Sequence, residues 1–106
     1  MTTYLVRAKA KRDLMVQLDN RLQSGKISQM KPFGKALQYG LQNAKIDRGE
    51  GYAYWIEEDY CSPPLAMERK AILDHYFDDI GVEKVEERQM GWEMINDKPS
   101  LWEQRR

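Results

Sequence analysis

Thr2-Thr3-Tyr4-Leu5-Val6-Arg7-Ala8-Lys9-Ala10 alternates along its whole length. Tyr4, Val6, Ala8 and Ala10 point one way; Leu5, Arg7, Lys9 and then Lys11 point the other. Period two among β-forming residues predicts a strand with one apolar and one basic face. Downstream, Leu14, Leu18 and Leu22 recur every fourth residue with Met15 beside them, which predicts an amphipathic helix over residues 12–24, and Gly25 stands where a helix commonly stops.

Residues 26–47 carry conflicting signals. Phe33, Leu37, Leu41 and Ala44 share a helical face behind Pro32, while Leu37, Tyr39 and Leu41 also alternate; Gly34 and Gly40 weaken both patterns. The compromise expectation is a helical turn over residues 32–39 and a strand over residues 41–47. The run Tyr52-Ala53-Tyr54-Trp55-Ile56-Glu57-Glu58 is dense in aromatic and β-branched residues and predicts the next strand. Ser62-Pro63-Pro64 is a helix start, with Ser62 as the expected cap. Leu65, Ile72, Leu73, Tyr76, Phe77 and Ile80 form the expected buried stripe, up to Gly81. Residues 82–95 read as a strand, bent or folded back at Met90-Gly91. Residues 1–95 thus make one α+β domain, and residues 96–106 a tail. Trp102 is expected to dock from that tail on its own domain or on a partner, with Arg105 and Arg106 left mobile.

The order strand, helix, strand, strand, helix, strand predicts a ferredoxin-like βαββαβ sandwich: one antiparallel sheet with two helices on one face. By element order and length over residues 3–95, the chain resembles the dimeric α+β barrel superfamily, in which two such sheets pack open face to open face. That resemblance implies a homodimer. It also implies an alternative, a cofactor-independent small-molecule enzyme with Arg7, Tyr52, Tyr54, Trp55 and His75 lining a cleft.

Charge is sorted by half. Residues 1–50 carry ten Lys+Arg against four Asp+Glu, and residues 51–106 carry seven against thirteen, so the net charge of zero conceals a dipole along the sequence. Opposite halves attract within one fold or across a subunit interface. If Tyr4, Val6 and Ala8 pack on helices, Arg7 and Lys9 belong to the open sheet face, and Ala53, Trp55, Glu57 and Asp59 would complement them there. Leu5, Trp55 and Trp92 interleave apolar surface with those charges, and such a face suits a covering partner better than bare solvent. With Trp102 as a further anchor, Leu5, Arg7, Lys9, Trp55, Glu57 and Trp92 form the expected interface. The function this supports is a small, soluble, self-associating interaction or ligand-binding module.

Other chemistries find little footing. An RNA-binding sheet would also show aromatics among basic residues, but Glu57, Glu58 and Asp59 would repel phosphate and the pI of 6.6 is not basic. The single histidine, His75, has Asp74, Asp78 and Asp79 near it, a candidate general base that reads more simply as a residue near a helix C-terminus. One histidine and one cysteine are too few for a zinc site of the usual nitrogen–sulfur kind, and the acidic runs lack calcium-loop spacing, so no metal or cofactor is expected. Cys61 cannot form an intramolecular disulfide and reads as a packing residue in a reducing cytoplasm. A charge at Arg7 comes too early for a signal peptide, and no apolar run reaches the ~20 residues of a membrane helix.

Overall fold

The alternation of residues 2–10 places the first strand, β1 (Thr2–Ala10), in the middle of a four-stranded sheet, as seen in a computed structural model that describes residues 2–103. Its neighbours are β3 (Tyr52–Asp59) and β4 (Phe77–Val85); the short β2 (Lys45–Asp47) flanks β3. The order is β2-β3-β1-β4 and each neighbouring pair is antiparallel. Val6 stands opposite Trp55 and Ala8 opposite Ala53, so these four share one face. All four are fully buried, against Leu18 and Leu22 of α1 (Met15–Gln23), Leu37 and Leu41 of α2 (Gly34–Gln42), and Ile72, Leu73 and Tyr76.

This register reverses one expectation. Trp55, Glu57 and Asp59 lie on the helix-covered face with Val6, whereas Arg7 and Lys9 face Tyr54 and Tyr52 on the opposite side. The period-two reading of both strands holds; their pairing is offset from the proposed complement by an odd number of residues, which moves a whole set to the other face.

Between β1 and β2 the helical pattern wins: α2 runs to Gln42, and the strand is only Lys45–Asp47. Gly40 is small because α2 lies directly on β3. A Cβ there would sit 2.8 Å from the Trp55 ring and 3.2 Å from the Ile56 carbonyl oxygen. The glycine thus marks close packing and not a broken helix.

The predicted long helix is shorter than its stripe. It spans residues 66–76 as α3 (Ala66–Glu68), a π-helical turn (Arg69–Leu73) and α4 (Asp74–Tyr76). Ser62 makes no capping bond; instead the Leu65 N–H, on a residue with φ 62°, donates to Asp59 Oδ2 at 2.6 Å. Phe77 turns extended, and β4 pairs with β1, with a register irregularity between Arg7 and Lys9. Strand pairing there outcompetes helix propensity.

Residues 82–95 are not one strand. β4 ends at Val85, and Arg88–Ile95 form a helix, α5. It crosses the sheet face that carries Arg7, at Ile56: a Cβ on Gly91 would lie 2.6 Å from Ile56 Cδ1. Helices therefore occupy both faces of the sheet, not one. The segment after α5 returns to β2, where Ile46 N–H donates to the Pro99 carbonyl at 2.9 Å and Leu101 N–H to the Ala44 carbonyl at 2.8 Å. Pro99 cannot donate to a ladder but accepts in one. Trp102 is 1% exposed and its Nε1–H donates to the Leu41 carbonyl at 2.7 Å, so it docks on its own domain. The expectation for Arg105 and Arg106 lies outside the described residues. No helix is long and apolar enough to cross a membrane among the described residues.

Candidate functional site

Strand β2 reaches only residues 52–54 of β3, so among the described residues the second half of β3 has no strand neighbour on that side. Helix α2 abuts this edge from one face and α5 from the other, and they meet where the Tyr39 and Trp92 rings stand edge to face at 6.0 Å. Beyond that contact lies a pocket of about 420 Å³. Phe33, Ala36 and Tyr39 form its wall, Ile56 and Met67 add apolar surface, and Cys61 and Tyr60 stand at the end of β3. Arg88 closes one side, with its guanidinium 4.6 Å from the Tyr39 ring centroid and 3.7 Å from the Glu58 carboxylate.

Acids line the base. Alternation along β3 sends Glu57 and Asp59 inward beside Trp55, and both are buried. Glu57 Oε1 accepts the Trp55 Nε1–H at 3.0 Å, and its other oxygen has no partner. Glu68, in the helical run, is fully buried, and neither of its oxygens has a hydrogen-bond donor. The Glu57 and Glu68 carboxyls face each other within hydrogen-bonding reach. Burial first, then the Glu68 contact and the nearby negative charge of Glu68 and Asp59, hold the Glu57 carboxyl well above the usual carboxylate range, against the opposing Trp55 bond. Two facing carboxylates cannot donate to one another, so neither can satisfy the other's buried oxygens. At Cys61 the Met67 backbone hydrogen bond favours the thiolate, but desolvation and the Asp59 and Glu68 carboxylates outweigh it and push the thiol up.

The residues singled out from the sequence are dispersed. Arg7, Lys9, Leu5 and Tyr54 do share the open face, where the Arg7 guanidinium lies 4.5 Å from the Tyr52 ring centroid and Lys98 Nζ 5.2 Å from that of Tyr54. Trp55, Glu57 and Trp102 are interior, and Trp92 is half-buried on α5. His75 is exposed, its ring edge-on to Tyr76, and joins no cluster with Arg7 or Tyr54. The residue that the sequence reading passed over is Glu68. Its signal was present, because Glu68 occupies a position on the apolar stripe of Leu65, Ile72 and Tyr76, where a carboxylate has no reason to stand unless something meets it.

The chain matches no protein-family model, and neither a curated protein nor a solved structure matches it.

Proposed function

We propose that this protein is a small-molecule-binding module of ferredoxin-like plan, with the ligand seated in the pocket at the free edge of β3. The element order and the antiparallel order β2-β3-β1-β4 support the plan, with α2 and α5 as additions to the basic βαββαβ unit. The observation that carries the binding function is the pocket itself. It combines about 420 Å³ with walls of Phe33, Tyr39, Ile56 and Met67 and a few convergent polar groups, the composition of a ligand site. A compact molecule with an apolar body fits it, with its polar end toward Asp59.

The test is chemical-shift mapping with benzylamine, benzoate and benzyl alcohol as probes of differing charge. Saturable shifts at Ile56, Tyr60 and Met67 are expected with at least one of them. Ala36→Trp, on the exposed side of α2 at the pocket wall, should abolish those shifts. Perturbations that do not converge on these residues, or that persist in the filled variant, overturn the reading.

Self-association enters as a second reading. The face expected for it is partly occupied by α5, but Met90 and Met94 on that helix remain exposed, at 49% and 53%. A copy of the chain laid on this surface would bury them. Sedimentation well above micromolar concentration decides, and a monomer at both low and high salt removes the dimer.

A further inference from the structure

Asp59, Cys61 and Glu68 each offer one ligand atom, these atoms all lie within 4.8 Å of one another, and Asp59 and Cys61 line the pocket. Converging acids alone are commonplace. The independent observation is Glu68, whose side chain is 0% exposed with both oxygens lacking a hydrogen-bond partner. A single proton shared with Glu57 serves one oxygen of Glu68 and leaves the other unmet. A buried carboxylate oxygen without a donor is costly, and a cation is the alternative way to satisfy it.

We propose that Asp59, Cys61 and Glu68 hold a divalent transition-metal ion of the zinc class, open to the pocket on its remaining side. The donor set selects the class. Magnesium and calcium favour shells of oxygen donors, whereas one sulfur and two carboxylates suit zinc. Zinc–sulfur and zinc–oxygen bonds of about 2.3 and 2.0–2.2 Å put tetrahedral ligand atoms about 3.3–3.8 Å apart. Small side-chain movements from the observed spacing close the site. Asp59 is already oriented by the Leu65 N–H on Oδ2, the kind of support that fixes ligand direction. Asp59 and Cys61 both line the pocket, so a three-ligand ion would keep a coordination position facing it. On binding, the Cys61 thiol gives its proton to solvent. The site does not depend on a molecule occupying the pocket above it.

The experiment uses the full chain, freed of metal by chelation and titrated with Co²⁺ and then Zn²⁺. The expected result is one cobalt per chain, a thiolate-to-cobalt charge-transfer band in the near ultraviolet, and its displacement by zinc. Cys61→Ser should remove the band. The near-isosteric Glu68→Gln should weaken binding about 100-fold or more, beyond the 10–100-fold typical of residues that only support a ligand. Asp59→Asn, which keeps an acceptor for Leu65, serves as the second variant, and circular dichroism reports whether each is folded. His75→Ala should bind as the wild type does. The proposal is overturned by the absence of the band at equimolar cobalt, by full affinity in folded Glu68→Gln or Asp59→Asn, or by loss of binding in His75→Ala.

Discussion

Tyr52 shows how a single side chain of the open face is tuned by two neighbours. Its hydroxyl donates to Asp79 Oδ2 while its ring lies under Arg7. The Asp79 hydrogen bond, with some desolvation and the Asp79 charge, raises the phenol above its ordinary 10.0, against the lowering influence of Arg7. The folded chain then holds this proton more tightly than the unfolded chain does. The associated stability is fully present below the unfolded value near 10.0 and is lost as pH rises through the folded one. Ultraviolet titration should show one tyrosine ionising above the ordinary value. That step should disappear in Tyr52→Phe and move down in Asp79→Asn; an unchanged titration in Asp79→Asn would show that the bond does not form. At this scale the sequence was partly legible. The parity that groups Arg7 with Lys9, and Trp55 with Glu57, is local and reads correctly. Which face each group takes depends on inter-strand register, and that is set by pairing between residues far apart in the chain.

Among the elements, the helical run before β4 separates propensity from packing most clearly. Ser62-Pro63-Pro64 looks like a capped start, yet Ser62 makes no capping bond, and Asp59 instead holds the N–H of Leu65, the residue before the helix. Ser62→Ala should therefore leave the denaturation midpoint nearly unchanged, whereas a true cap would cost about 0.5–2 kcal/mol. Phe77 is 2% exposed and packs on Trp55 with ring centroids 5.2 Å apart, so Phe77→Ala should cost about 3–5 kcal/mol. Urea melts of the two variants check both figures. Phe77 and Ile80 were legible as buried or partly buried positions but not as strand residues, because an apolar spacing of three and four does not reveal that β1 waits to pair with them. Helix α5 was missed for a related reason. Met90, Trp92 and Met94 alternate as a strand would, and only the close approach of Gly91 to Ile56 shows a helix pressed onto the sheet. Gly40 makes the same point on the other face. Gly40→Ala forces a methyl group to 2.8 Å from the Trp55 ring, a rigid neighbour, and overpacking of this kind costs about 1–3 kcal/mol in the same melts.

For the whole molecule, the sorted charges find their partners within one fold. The basic β1 lies between the more acidic β3 and β4, with Lys11 Nζ 3.7 Å from Asp78 and Arg48 paired to Glu103. The dipole along the sequence was legible, but it does not distinguish internal pairing from pairing between copies. The second pairing, Arg48 with Glu103, draws the C-terminal segment back to the β2 side of the sheet, the same place where Pro99 and Leu101 complete the ladder and Trp102 enters the core. Residues 99–102 thus act as a clasp on an otherwise open edge. Trp102 fills space beside Leu41, so Trp102→Ala removes a large core side chain and the Nε1–H bond together and should cost about 3–5 kcal/mol. Deleting residues 97–106 should cost at least as much, because the backbone groups of Ala44 and Ile46 lose their partners as well. Arg48→Ala, which breaks only the exposed ion pair, should cost under about 1 kcal/mol. Sedimentation of the three variants should give the same oligomeric state as the full chain, since the clasp is made within one molecule. If the deletion leaves the melting midpoint unchanged, the segment is a passive tail and the edge of β2 is held by something else.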